Sequence, residues 1–241
     1  MKSDILVIGG GASGLMAAYA AARTLADLGR PDQVTILEKM HRPGRKIMIT
    51  GKGRCNFTNV KDWNKFSSHV RAGSAFVKSS FYNLTPERLM EFFEHNGMQT
   101  VVERGDRAFP ESHMAGDVVD TLLRACTLAG VKVVTGCEVK TIDKTPKGYS
   151  LDTVKTITKE YKVRSDDPRK KPQFRTETTI ETEEFTCSKL IIATGGLSYP
   201  GTGSTGDGYM WAEELGHTVE ACYPSLTALV PEGYKTEASA L

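Results

Sequence analysis

Apolar positions along this chain fall into short blocks whose period changes from segment to segment. Ile5-Leu6-Val7-Ile8 is an unbroken apolar run, the pattern of a strand covered on both faces of a parallel sheet. Residues 15–28 follow helical spacing, and Val34-Thr35-Ile36-Leu37, closed by Glu38, predicts a second buried strand. Residues 40–60 have no period and predict a long loop, whereas 63–80 read as one helix. Thr85 as an N-cap with Pro86 behind it opens the next helix. Its apolar face of Leu89, Met90, Phe92 and Phe93 reads as core rather than as a ring-binding box. Residues 98–103 predict a strand that turns at Arg104-Gly105-Asp106, residues 107–113 a loop, and residues 116–129 a helix closed by Gly130. Two further strands are expected at 131–134 and 138–142. From 148 to 186, Thr, Lys and Glu mix with β-branched residues, which suits an exposed antiparallel meander spanning about 137–187. Its tip, about 164–173, is charged and proline-flanked and reads as mobile solvated surface. Residues 189–193 return to a buried strand, and a small-residue loop at 197–206 leads into a helix beginning near Asp207. The class is α/β, a parallel sheet with an antiparallel meander inserted.

The chemistry concentrates where the first strand ends. Gly9, Gly11 and Gly14 stand at G-x-G-x-x-G spacing between that strand and the helix that follows. Gly9 permits a tight reversal, Gly11 lets backbone approach a diphosphate, and Gly14 lets helix and strand pack closely. Phosphate then meets free N–H groups at the helix N-terminus, favoured by the positive end of the dipole. Glu38 sits where a carboxylate accepts the hydroxyls of an adenosine ribose. A glycine triplet alone is weak evidence, but strand, triplet, helix, strand and terminal Glu together predict dinucleotide binding. Behind Glu38 the aperiodic loop gathers Arg42, Arg45, Lys46, Lys52 and Arg54 with Gly44, Gly51 and Gly53. Glycine-rich backbone with cations is the chemistry of an anion cradle. On charge alone the loop is solvated surface, and its position after Glu38 reverses that preference.

Composition narrows the function classes. The 241 residues are 39% hydrophobic and 25% charged, enough for a substantial core, and the net charge of +2 gives no reason to expect nucleic acid or an anionic membrane as partner. The five cysteines, Cys55, Cys126, Cys137, Cys187 and Cys222, are odd in number and lack C-x-x-C spacing, which fits reduced thiols in a cytoplasmic protein. No apolar run is long enough for a membrane span, and the histidines show no metal-ligand spacing. Cys55, preceded by Lys52 and Arg54, which would lower its pKa, and His113 beside Ser112 are the catalytic candidates. A packed thiol and a hydrogen-bonded structural histidine are the simpler readings.

The first turn does not separate NAD from FAD. A second small-residue corner, Ala193-Thr194-Gly195-Gly196, follows the meander and points to FAD, because NAD-linked dehydrogenases continue with further βα units instead. Taken in order, 9–15, Gly44-Arg45-Lys46, 51–56, Phe109-Pro110, 115–119, 193–200 and 203–208 resemble the bacterial aminoacetone-oxidase-like or bile-acid-reductase-like NAD(P)/FAD-dependent oxidoreductases. The likeness runs to about residue 230. It implies a glutathione-reductase-like Rossmann FAD-binding domain over 1–222, with a substrate domain starting at 223–241. By the same resemblance, Gly11, Ala12 and Ser13 hold the diphosphate, Glu38 the ribose and Val139 the adenine, with Lys39 also in the cofactor-binding set. Arg45, Lys46, Arg54, Cys55 and Asn56 lie along the ribityl chain and ring, and Gly44, Gly53, Ala193, Thr194, Gly195, Gly196 and Asp207 complete the cofactor-binding set. The meander is longer than the family pattern, and the second half of the family's length is not in this sequence, as expected of a piece of a longer protein. Three functions follow: an FAD-dependent oxidoreductase acting on a small molecule by amine oxidation or enone reduction, with NAD(P)H as a possible donor; an NAD(P)-dependent dehydrogenase; or a non-catalytic flavin-binding module.

Overall fold

The computed structural model describes residues 1–30, 33–71, 73–163 and 173–224. In chain order, β1 (Ile5–Ile8), α1 (Ala12–Asp27) and β2 (Val34–Glu38) form a βαβ unit. Then come α2 (Arg45–Met48), a 3₁₀ turn (Thr50–Gly53), β3 (Thr58–Asn59), α3 (Trp63–Ser67), α4 (Ser74–Asn83) and α5 (Pro86–His95). A hairpin of β4 (Thr100–Glu103) and β5 (Arg107–Pro110) precedes α6 (Ala115–Leu128) and β6 (Lys132–Thr135). The chain continues through β7 (Cys137–Thr145), β8 (Gly148–Val163), β9 (Gln173–Cys187), β10 (Lys189–Ile192), a 3₁₀ turn (Pro200–Thr202) and α7 (Asp207–Glu214).

Three sheets result. β10-β1-β2-β6 is all parallel, with Ile8 opposite both Ile192 and Leu37. β7-β8-β9 is antiparallel, and β3-β5-β4 is a small antiparallel sheet beside α5 and α6. The parallel sheet is the middle layer. Val7 and Ile36 face a core shared with Leu15, Ala18, Phe93, Val118 and Leu122 of the helices. Leu6, Ile8 and Leu37 face the other way, onto Val139, Leu151 and Phe185 of the meander and Trp211 of α7. Burial on both sides explains why β1 reads as an unbroken apolar run and β2 as one broken only by Thr35 before Glu38. The one buried hydroxyl of β2, on Thr35, accepts from Ser3 Oγ at 3.0 Å.

Three expected elements differ. The predicted 63–80 helix is two helices, with Gly73 at φ 72 where the second begins, so the chain changes direction there. The predicted loop at 107–113 contains β5, because Phe109 and Ala108 pair with Val101 and Val102 once Gly105 and Asp106 turn the chain at positive φ. The predicted 40–60 loop contains three short elements, α2, the 3₁₀ turn and β3. Most of the meander tip expected at about 164–173, and of the segment 223–241 assigned to a substrate domain, lies outside the described residues.

Candidate cofactor site

The C-terminal ends of β1, β2 and β10 open onto one cavity of about 630 Å³, within the range typical of ligand sites. The turns above these strands are tied by backbone hydrogen bonds. Gly9 N donates to Leu37 O at 2.8 Å, Ala193 N to Ile8 O at 2.8 Å, and Gly44 N to Gly10 O at 2.9 Å. A Cβ on Gly9 would stand 2.5 Å from Ala193 O, and one on Gly14 would collide with Gly9 O. These two glycines therefore serve the packing of the corner. Gly11 differs, since a Cβ there meets nothing within 4 Å and would project into open space. α1 begins behind Gly11 with no side-chain cap and no acidic residue in its first turn, which leaves its N-terminal amides suited to an anion.

Glu38 is buried at the cavity edge. Its Oε2 accepts from Gly10 N and its Oε1 from Met40 N, both at 2.7 Å, which fixes the carboxylate while each oxygen keeps a second lone pair. Lys39 reaches across to the second corner, where Nζ donates to Asp207 Oδ2 at 2.8 Å and Thr205 Oγ1 at 2.6 Å. Burial alone would raise the Asp207 pKa, but hydrogen bonds from Lys39 and Thr205 outweigh it and hold the carboxyl below its ordinary range. Asp207 is the first residue of α7 rather than its N-cap, which is Gly206. Lys46 Nζ donates to Ser204 Oγ at 2.7 Å.

Sixteen of the expected residues share the cavity wall: Gly9, Gly11, Ala12, Ser13, Glu38, Lys39, Gly44, Arg45, Lys46, Cys55, Asn56, Val139, Ala193, Thr194, Gly195 and Asp207. Gly14, Gly53, Arg54 and Gly196 do not line it. Arg54 turns away instead. Its guanidinium lies 4.6 Å from the centre of the Phe109 ring and donates to Glu103 at 3.1 and 3.3 Å. His113 Nε2 meets the same carboxylate at 2.9 Å and also lies outside the cavity wall. The His113 bond, aided by Arg54, holds the partly exposed Glu103 carboxyl below its usual range. Cys55 corrects the expectation of a lowered pKa, since burial pushes its thiol up despite a hydrogen bond with Thr50. Among the described residues, no group of three or more His, Cys, Asp and Glu stands where it could hold a metal.

A family model described as the HI0933-like protein Rossmann domain matches residues 3–165. The chain belongs to the HI0933-like family. This HI0933-like chain is 32% identical over 223 residues to a 3-dehydro-bile acid delta(4,6)-reductase of Clostridium scindens, covering 92% of the chain and 46% of that relative. It is 28% identical over 230 residues to a ribosomal RNA dihydrouridine synthase of Escherichia coli, covering 95% and 48%. The chain thus spans about half the length of the curated relatives it matches. Two solved structures share its fold: adenylylsulfate reductase of Archaeoglobus fulgidus, at TM-score 0.55 and 19% identity over 88% of this chain and 35% of that one, and quinol fumarate reductase of E. coli, at 0.56 and 12% over 83% and 33%.

Some of the wall of the HI0933-like site was not legible as site. Leu89 and Phe93, read as core, also line the cavity with Met16, Phe57, Val118 and Leu122, so its inner side is apolar. Thr202, Gly203 and Ser204 form another stretch. Their signals were the small-residue run before Asp207 and, for Gly203 and Ser204, the 203–208 block of the resemblance. A dinucleotide fits these residues: uncapped amides and open space at Gly11 for phosphate, a fixed carboxylate at Glu38, cations at Arg45 and Lys46, and an apolar interior for a ring.

Proposed function

We propose that this chain is the FAD-binding part of a flavin-dependent oxidoreductase that saturates a carbon–carbon double bond conjugated to a carbonyl. The observation that carries the reading is the single cavity uniting the β1–α1 turn, Glu38 and the Ala193-Thr194-Gly195 corner. The amides of Ala12 and Ser13 bind the diphosphate, and Glu38 accepts the ribose hydroxyls. Val139 flanks the adenine. Arg45 and Lys46 supply positive charge that favours an anionic reduced ring. Reduced flavin, when bound, supplies the hydride.

The names of the relatives favour reduction over amine oxidation. A 3-oxo bile acid with unsaturation at positions 4 and 6, and a uracil ring converted to its dihydro form, both carry a double bond conjugated to a carbonyl. The substrate proposed here is a small enone, since the net charge of +2 offers no general attraction to RNA. NAD(P)H is the proposed donor. The cytoplasm is the proposed compartment, in keeping with the free cysteines. The test is the absorption spectrum of the purified chain and the identity of the nucleotide that heat releases. A flavin spectrum with FAD in the supernatant is expected, and a colourless protein that binds nicotinamide dinucleotide would refute the proposal.

A further inference from the structure

We infer that Lys39 is a positioning residue, a tether that fastens the 202–204 wall of the cavity to the end of β2 through Asp207 and Thr205. The inference rests on the cavity being the FAD site proposed above.

Three observations support it. First, Lys39 directly follows Glu38, the last residue of a fully buried strand, so its backbone is anchored by the parallel sheet. Its ammonium closes a ring of contacts with Thr205 Oγ1 and Asp207 Oδ2, and Thr205 Oγ1 in turn donates to Asp207 Oδ1 at 2.6 Å. Two of the ammonium's three N–H donors are thus engaged by Thr205 and Asp207, which ties it to the wall they carry.

Second, the wall has little apolar burial of its own. Leu197 and Tyr199 are 58% and 63% exposed, so the usual source of loop fixation is missing on that approach. Ser204 is the buried residue of the wall, and it is held by Lys46. Polar tethers therefore hold the wall on this side, and Trp211 anchors α7 at its far end. Third, the wall rests on the same segment that supplies the tether. A Cβ on Gly203 would lie 3.0 Å from Met40 Cγ and 3.4 Å from Lys39 Cε, so the backbone at Gly203 packs against the lysine stem. The Lys39 and Asp207 side chains are only 21% and 22% exposed, which sets this pair apart from a freely hydrated surface bridge.

The experiment is titration of FAD into the flavin-free chain, followed by flavin fluorescence, for the wild type, Lys39→Met, Asp207→Asn and the double variant. Circular dichroism serves as the check on folding. Each single variant is expected to weaken FAD binding about tenfold, and the double variant no more than the worse single one. Lys39→Arg should retain most of the affinity. The exchanged pair Lys39→Asp with Asp207→Lys should recover part of it, which a side chain that merely fills space would not do. If Lys39→Met does not fold, Lys39→Gln and Thr205→Val make the same comparison. Wild-type affinity in the folded single variants, or strictly additive losses, would overturn the tether alone. A wild-type chain that takes up no FAD would overturn the cavity assignment and the tether together.

Discussion

Cys55 has cations on its N-terminal side and a backbone φ of 56, yet its thiol is not activated. It is 5% exposed, and desolvation of the thiolate outweighs the hydrogen bond with Thr50, while Arg54 is directed to Glu103. Cys126, Cys137 and Cys187 are buried too, with the Cys126 thiol pushed up to about 11 by burial. Titration of the native protein with a thiol reagent near pH 8 should therefore show one fast group, the exposed Cys222, and four slow ones that react on unfolding. A second fast thiol that disappears in Cys55→Ser would contradict this account. The glycines of the first turn likewise part ways by their surroundings. Gly14→Ala forces a methyl onto the Gly9 carbonyl and should cost about 1–3 kcal/mol in denaturant unfolding. Gly11→Ala has free space, so its stability should change little while FAD binding falls about tenfold or more. Equal effects of the two substitutions on both measurements would show that their roles are not separated.

Among the elements, long periodic segments were legible and short ones were not. α1, α5 and α6 bury stripes at helical spacing, with Leu15, Ala18, Ala22 and Leu25 on α1 as the clearest case. β5 has four residues, one of them proline, and becomes a strand only because β3 and β4 flank it. The 45–53 stretch folds because Gly44, Gly51, Lys52 and Gly53 take positive φ and because Gly44 fits against Val119 of α6. Arg54 belongs to this level, since it links the loop to the β4–β5 hairpin through Phe109 and Glu103. Arg54→Ala should lower stability by under about 1 kcal/mol, because both partners in the ion pair are partly hydrated, and should leave FAD affinity close to wild type. A large loss of flavin affinity with unchanged stability would return Arg54 to the cofactor.

For the whole molecule, the parallel sheet is enclosed by helices on one face and the meander on the other, and the cavity opens where three of its strands end. A ligand bridging corners more than 180 residues apart in sequence holds those layers together only in the folded state. FAD at a hundred times its dissociation constant should then add about 2.7 kcal/mol, a rise of roughly 5–10 °C in Tm for a chain of this size. Thermal melts with FAD, AMP and no ligand check this, and no shift with FAD would count against the proposed cofactor.

The sequence by itself determined the βαβ unit, the glycine turn, the carboxylate at Glu38 and the meander, because each is written in residues adjacent along the chain. Period, turn chemistry and β-branched content act locally and survive without knowledge of the fold. Tertiary structure alone decided that Arg54 faces Phe109, that burial keeps Cys55 protonated, that Phe93 lines a cavity, and that Lys39 meets Asp207. Desolvation and pairing across 168 residues depend on which surfaces the packed layers bring together, and no local pattern in the chain encodes them.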